Sequence, residues 1–244
     1  MSTVAVAGQN PNMNLPAGGI TIRFRLCDID NTWIENYRSD AIQEELTKLR
    51  DDIWSNTDKK LFYCGVKSPL WGCWNKDRTK ACLSAAFRRY ECCLQIALRD
   101  LVKKYNETMG YKDGEPGFVY IDGNPDGKKA NPGTLARQKH RETIRQQGGD
   151  WAKEWDEALA KWTVEVHLED YGDPDTDEAK FRAKGDNLIE NTYHSEPSFF
   201  DTIHRVVLLK DAKFKGKDIA DRLKLSEGAV SQYVNIFNLP KTLT

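Results

Sequence analysis

KDIADRLKLSEGAVSQYVNIF, residues 217 to 237, divides into two short helical patterns meeting at a tight corner. Ile219, Ala220 and Leu223 make one apolar stripe, Leu225 fills the corner, and Ser226 followed by Glu227 opens a second helix as an N-cap does. Val230, Tyr233, Val234 and Phe237 then recur at helical spacing and face inward. What remains outward is Glu227, Gly228, Ser231, Gln232 and Asn235. Small and amide side chains of this kind suit base edges in a major groove, where Gln or Asn bonds adenine through two hydrogen bonds. Lys217 and Ser226 complete the expected DNA-binding set. The core of an ordinary helical hairpin has the same period, but here the outward face holds no apolar residue that needs burial. Ala220 leaves room for close helix crossing. Lys224 occupies a corner that often takes glycine, so it calls for an unusual backbone angle or a different turn.

The chain of 244 residues allows one large domain or two smaller ones, and two are expected. Hydrophobic residues at 39% and charged residues at 30% suit a globular chain with a heavily solvated surface. No apolar run approaches a membrane span and no basic-then-apolar segment opens the chain, so neither insertion nor secretion is indicated and a cytoplasmic location is expected. The formal net charge of −1 excludes a uniformly basic nucleic-acid binder, yet charge is segregated. Lys128 to Arg145 holds six Lys or Arg against one Glu, Glu165 to Glu178 holds seven acids, and Phe199 to the end holds eight bases against five acids. Cys27, Cys64, Cys73, Cys82, Cys92 and Cys93 lack the paired short spacing of zinc sites and read as reduced, mostly buried thiols.

Upstream of the corner, residues 1 to 18 are small and polar and read as a flexible leader. Thr21 to Cys27 alternates as a half-buried strand, and Ser39 or Asp40 caps a helix whose inner face is Ile42, Leu46, Leu49 and Ile53. LFYCGVKSPLWGCW, 61 to 74, reads as strand, turn and strand, with amides at its Gly turn that can meet an anion. Lys80 to Tyr105 is expected as one long helix with Arg88 and Arg89 near its start, where guanidinium groups and helix amides together suit a phosphate. DGNPDGKK fails the P-loop spacing, and the basic run LARQKHRETIR reads equally as a DNA-backbone contact or a solvated helix. Trp151, Trp155, Leu159 and Trp162 lie at helical spacing, and Val164, Val166 and Leu168 form the inward set of another strand. The acidic turn Asp170 to Asp177 offers oxygen ligands to a hard cation. Helices from about Glu178 and from Phe199 to Lys210 follow, the second burying Phe199, Phe200, Ile203, Val206 and Val207.

In this order the pieces resemble the ParB family of partition proteins, KorB-like plasmid members included, over about Thr21 to Pro240. Asp28-Ile29 and Arg38 resemble the family's start, and CGVKSPL at 64 to 70 its loop in which a Gly precedes a Pro-containing strand. AFRRY at 86 to 90 resembles the Gly-x-Arg-Arg box, LIENTYHSE at 188 to 196 the Glu-Asn-x-x-Arg box, and Leu239-Pro240 closes the helix-turn-helix as in family members.

The resemblance implies a sulfiredoxin-like α/β domain at 19–191, with an insertion at about 105–162, followed by an all-α helix-turn-helix domain at 192–244. It implies CTP and Mg2+ as cofactors. Triphosphate contacts would fall on Gly65, Val66, Lys67 and Ser68 and on Ala86, Phe87, Arg88 and Arg89, with Glu190 and Asn191 serving the metal and the phosphates. The implied partners are double-stranded DNA, a second copy of the chain and a partition ATPase, at a plasmid or nucleoid. Three residues depart from the pattern: Ala86 replaces the box glycine, Phe87 stands where many members carry the Glu linked to hydrolysis, and His194 replaces the closing Arg. CTP turnover therefore stays open. So do two alternatives, a regulator that has lost nucleotide switching and a metal-dependent nuclease or nucleotide hydrolase on the same fold.

Overall fold

Two runs that alternate in polarity, ITIRFR and TVEVHL, become the antiparallel strands β1 (Ile20–Arg25) and β5 (Thr163–Leu168). Ile22 lies opposite Val166 and Phe24 opposite Val164, so one face of the pair is apolar and buried while Arg23 meets Glu165 on the other. On its other edge β5 runs parallel to β3 (Leu70–Trp74), β3 pairs antiparallel with β4 (Ala81–Ala85), and β4 runs parallel to the short β2 (Ile29–Asp30). The order is β1-β5-β3-β4-β2. The computed structural model describes residues 19–34, 43–124, 134–192, 199–211 and 214–237. The protein is mixed α/β, and its contacts divide it into two units, Met1–Asp170 and Tyr171–Thr244. The contact boundary precedes the 191/192 junction expected, because the helix over Asp177–Thr192 packs with the helices that follow it.

The long helix expected over Lys80–Tyr105 is corrected at its start. Ala81–Ala85 is strand β4, and helix α2 spans Phe87–Met109. All five β4 residues are buried, so the strand carries no alternation, and a short apolar run of this kind has no period that separates strand from helix. The change of conformation is made at Ala86, whose φ of 67° and ψ of 30° are left-handed. The first strand expected in 61–74 is also absent from the sheet: Tyr63 makes only isolated bridges, to Asp58 and Thr163.

Helix α1 (Gln43–Ser55) lies along α2 in the same direction. Four contacts climb both helices together: Glu45 with Arg88, the Leu46 carbonyl with the Cys92 thiol, Arg50 with Gln95, and the Trp54 ring with Arg99. Leu46 and Ile53 are buried on the face that was expected to point inward.

The insertion folds onto the C-terminal half of α2 as α3 (Thr134–Gln146) and α4 (Gly149–Lys161). Leu98, Leu101, Val102 and Tyr105 of α2 meet Val119, Ile144 and Trp155 in one apolar cluster. The Asn106 side chain acts there as a backbone mimic: its amide donates to the Val119 carbonyl at 2.8 Å and its oxygen accepts the Val119 N–H at 2.9 Å. The basic run does not present all its cations outward. Arg137 and Arg141 are 1% and 0% exposed, and Arg141 forms a two-pronged pair with the equally buried Glu91, both bonds at 2.7 Å. Neither of these two arginines faces a DNA backbone or solvent, because helical spacing turns them toward α2 while Lys139 and Glu142 face outward.

In the second unit α5 (Asp177–Thr192), α6 (Phe199–Asp211), α7 (Gly216–Leu223) and α8 (Glu227–Phe237) follow in order. The acidic turn is built as a helix start: the Asp173 carboxylate accepts the Asp175 N–H at 3.1 Å, and Thr176 Oγ1 caps α5 by accepting the Ala179 N–H at 3.2 Å. Ile203, Val206 and Leu209 of α6 are buried, as are Ile219, Ala220 and Leu223 of α7 and Val230 of α8. Phe199 is corrected from buried to exposed; as the first residue of α6 it lays its ring edge-on to Tyr233 at 5.7 Å. The leader, the Ser39 or Asp40 cap, the 193–198 part of LIENTYHSE and Leu239-Pro240 lie outside the described residues.

Candidate nucleic-acid interface and anion cradle

The corner between α7 and α8 is three residues long. Lys224 takes the left-handed angle that its position called for, with φ 54° and ψ 42°, and the amides of Lys224 and Leu225 both donate to the Ala220 carbonyl. Ser226 Oγ accepts the Ala229 N–H at 3.1 Å, the bond of an N-cap to the third helical residue. Val230 is thereby turned inward with Tyr233 and Val234 half-buried beside it, whereas Phe237, expected inward, is corrected to exposed at the last turn; Glu227, Gly228, Ser231, Gln232 and Asn235 are all exposed, as are Lys217 and Ser226. Ser231 Oγ donates to the Glu227 carbonyl at 3.1 Å, which leaves its lone pairs to accept from a ligand. At Gly228 an added Cβ would meet only Ser226 Oγ, at 3.9 Å. The fold thus imposes no glycine there, although glycine in a helix costs about 0.5–1 kcal/mol against alanine.

In the first unit a bond from Arg89 Nη1 to the Ser68 carbonyl at 2.9 Å brings the loop Gly65–Ser68 against the start of α2. Burial pushes the Cys93 thiol of α2 well up in pKa, helped by its side-chain bond to Cys64, and that bond also ties the loop to the helix. Gly65 is required by packing, since a Cβ would collide with the Asn56 carbonyl at the end of α1. The Gly65 N–H goes to Thr57 Oγ1 at 3.3 Å and the Val66 N–H to the Cys64 carbonyl at 2.9 Å, so these two amides are already used. The amides of Lys67 and Ser68 make no hydrogen bond to other described residues. Val66, Ala86 and Phe87 are buried, Lys67 and Ser68 exposed, and Arg88 and Arg89 lie between.

Two further residues, missed in the sequence, close this corner. Asp52 holds Lys67 Nζ at 2.6 Å, and Glu45 holds Arg88 Nη1 at 3.1 Å. Their spacing of seven along α1 puts both carboxylates on one helix face, a signal available without the structure. Glu190 and Asn191 belong to α5 in the second unit, and their side chains lie outside the described residues. Among the described residues no three Asp, Glu, His or Cys side chains converge on a metal-sized site, and the acids of the 170–177 turn form none. No described helix is long and apolar enough to cross a membrane.

The chain was compared with known proteins at three levels, and no family model, no curated protein and no solved structure matches it.

Proposed function

We propose that the chain is a sequence-specific binder of double-stranded DNA of the ParB-like kind, reading a major groove with α8, carrying a phosphate-binding cradle for CTP in its first unit and taking Mg2+ through Glu190 and Asn191. The observation that carries this reading is the two-sidedness of α8. Val230 is buried, while five small or polar residues form an exposed face with no apolar member. Gly228 adds support, because an unforced glycine at the start of that face lets the helix backbone approach a ligand closely. A second copy on a palindromic site and a partition ATPase are the partners this reading proposes.

The nucleotide half draws support from the Arg89–Ser68 bond, the two amides beside it that make no hydrogen bond among the described residues, and the left-handed angle of Ala86, a conformation natural to the glycine of the resembled box. A second reading, a regulator without a nucleotide switch, is favoured by one observation: Lys67 and Arg88 are both engaged by carboxylates.

Selection of duplexes from a randomised pool tests the DNA half. A consensus should emerge, and Gln232→Ala should lose about 1–3 kcal/mol of affinity for it. Failure to enrich any sequence refutes the assignment of α8. Titration of CTP with Mg2+ into wild type and Arg89→Ala separates the two readings: binding lost in the variant supports the cradle, and no binding supports the regulator.

A further inference from the structure

At the far end of the α1–α2 interface from Arg88 lies a cleft of about 250 Å3, walled by Arg50 and Trp54 of α1, Gln95, Ile96 and Arg99 of α2, and Ile121. Its apolar side is an indole and two isoleucines, and its charged side is two guanidinium groups against the single carboxylate of Asp51 at the rim. Arg50 is held by Asp51 at 3.1 Å and reaches toward the Gln95 oxygen at 3.5 Å. Arg99 stacks 5.1 Å from the Trp54 ring centroid and has no carboxylate partner among the described residues.

The walls are held from behind by a buried polar chain. Gln95, 2% exposed, donates to Glu91 at 3.0 Å; Glu91 takes both prongs of Arg141; and Arg141 donates on to the Ile121 carbonyl at 3.1 Å. Gln95 is therefore fixed by buried bonds, and Arg50 and the Ile121 carbonyl lean on that buried chain through part-buried ones, which is the preorganisation a binding site needs. A cation without a counter-charge beside an aromatic face selects an anion with a flat apolar body. A cavity of ~150 Å3 suffices for benzene, so this cleft suits a single ring with a charged head group.

We infer that this cleft binds a small organic anion bearing one aromatic ring, its carboxylate or phosphate held by Arg99 and Arg50 and its ring against Trp54 and the isoleucines. The site shares no residue with the phosphate cradle or with α8, so it stands independently of the DNA-binding reading. The test is isothermal titration of the full chain with phenyl phosphate, benzoate and inorganic phosphate. At least one aromatic anion should saturate at one per chain, with inorganic phosphate at least tenfold weaker; which of the two binds more tightly identifies the head group. Arg99→Gln, an exposed position where folding is not at stake, should weaken binding at least tenfold, and Arg89→Ala should leave it unchanged. Absence of saturable binding, equal binding of inorganic phosphate, equal binding by Arg99→Gln, or loss in Arg89→Ala would each overturn the inference.

Discussion

Replacing Glu91 by Gln keeps the shape of the buried pair and removes its charge, leaving Arg141 and Arg137 facing each other in the interior. Both arginines are buried beyond the reach of water, and Glu91 takes two bonds at 2.7 Å from Arg141 and another from Gln95. At ~4 Å a unit-charge pair is worth about 4 kcal/mol at an effective dielectric of about 20, and breaking one partner of a buried pair typically costs about 3–5 kcal/mol. Against a total stability of about 5–15 kcal/mol this is a large fraction. All seven tryptophans lie at or before Trp162, so their fluorescence in a urea titration reports the first unit alone. Glu91→Gln should lower its stability by about 4 kcal/mol and Arg141→Met by about 3–4 kcal/mol. The double variant Glu91→Leu with Arg141→Met should be less destabilised than Glu91→Gln alone, because an apolar pair needs no counter-ion. Additive losses in the double variant would refute the claim that the charges are coupled, and a loss under ~1 kcal/mol in Glu91→Gln would refute their burial.

Two further predictions concern single residues. Burial lowers the pKa of His140, Arg141 lowers it further and Asp122 opposes both, and the ring accepts the Tyr120 N–H through Nε2. Its neutral form is the one the fold favours, so its contribution is complete above about 6.5 and is lost as pH falls below that value toward the folded pKa; comparing wild type with His140→Gln between pH 7 and 5 should show a flatter pH dependence in the variant, and parallel curves would contradict this. Lys224→Gly should stabilise the second unit by about 0.5 kcal/mol, since relief of the left-handed angle, about 1–2 kcal/mol, exceeds the added chain entropy of about 0.5–1 kcal/mol; a fall in its helical melting temperature would count against that balance.

Legibility in the sequence followed periodicity. β1, β5 and α8 announce themselves because each buries one face, and the N-cap at Ser226 and the strained corner at Lys224 follow from local chemistry. β4 was hidden because burial on both sides erases alternation, and its ACLSA composition favours helix as much as strand. The burial of Arg137 and Arg141 was invisible for a different reason. A basic helix normally faces water, and only the distant Glu91 makes the opposite arrangement affordable. The loop–helix corner at Ser68 and Arg89 was anticipated through a resemblance, whereas the carboxylates that occupy Lys67 and Arg88 come from a helix more than a dozen residues earlier; their spacing of seven marks a shared helix face but says nothing of which cations that face will meet.

Helix α2 serves two cores in succession, its first half against the sheet and its second against α3 and α4. Its 23 residues span about 35 Å at 1.5 Å per residue, so Arg89 and Arg99 stand about 15 Å apart on a single rod. Trimming the chain to its sheet by excising 110–161 would strip Leu98, Leu101, Val102 and Tyr105 of their cover and leave four large side chains in water along one continuous stripe. Such a stripe invites self-association. What looks along the sequence like a dispensable insertion is the outer half of the helix's own foundation, and a shortened protein should precipitate before it could be assayed.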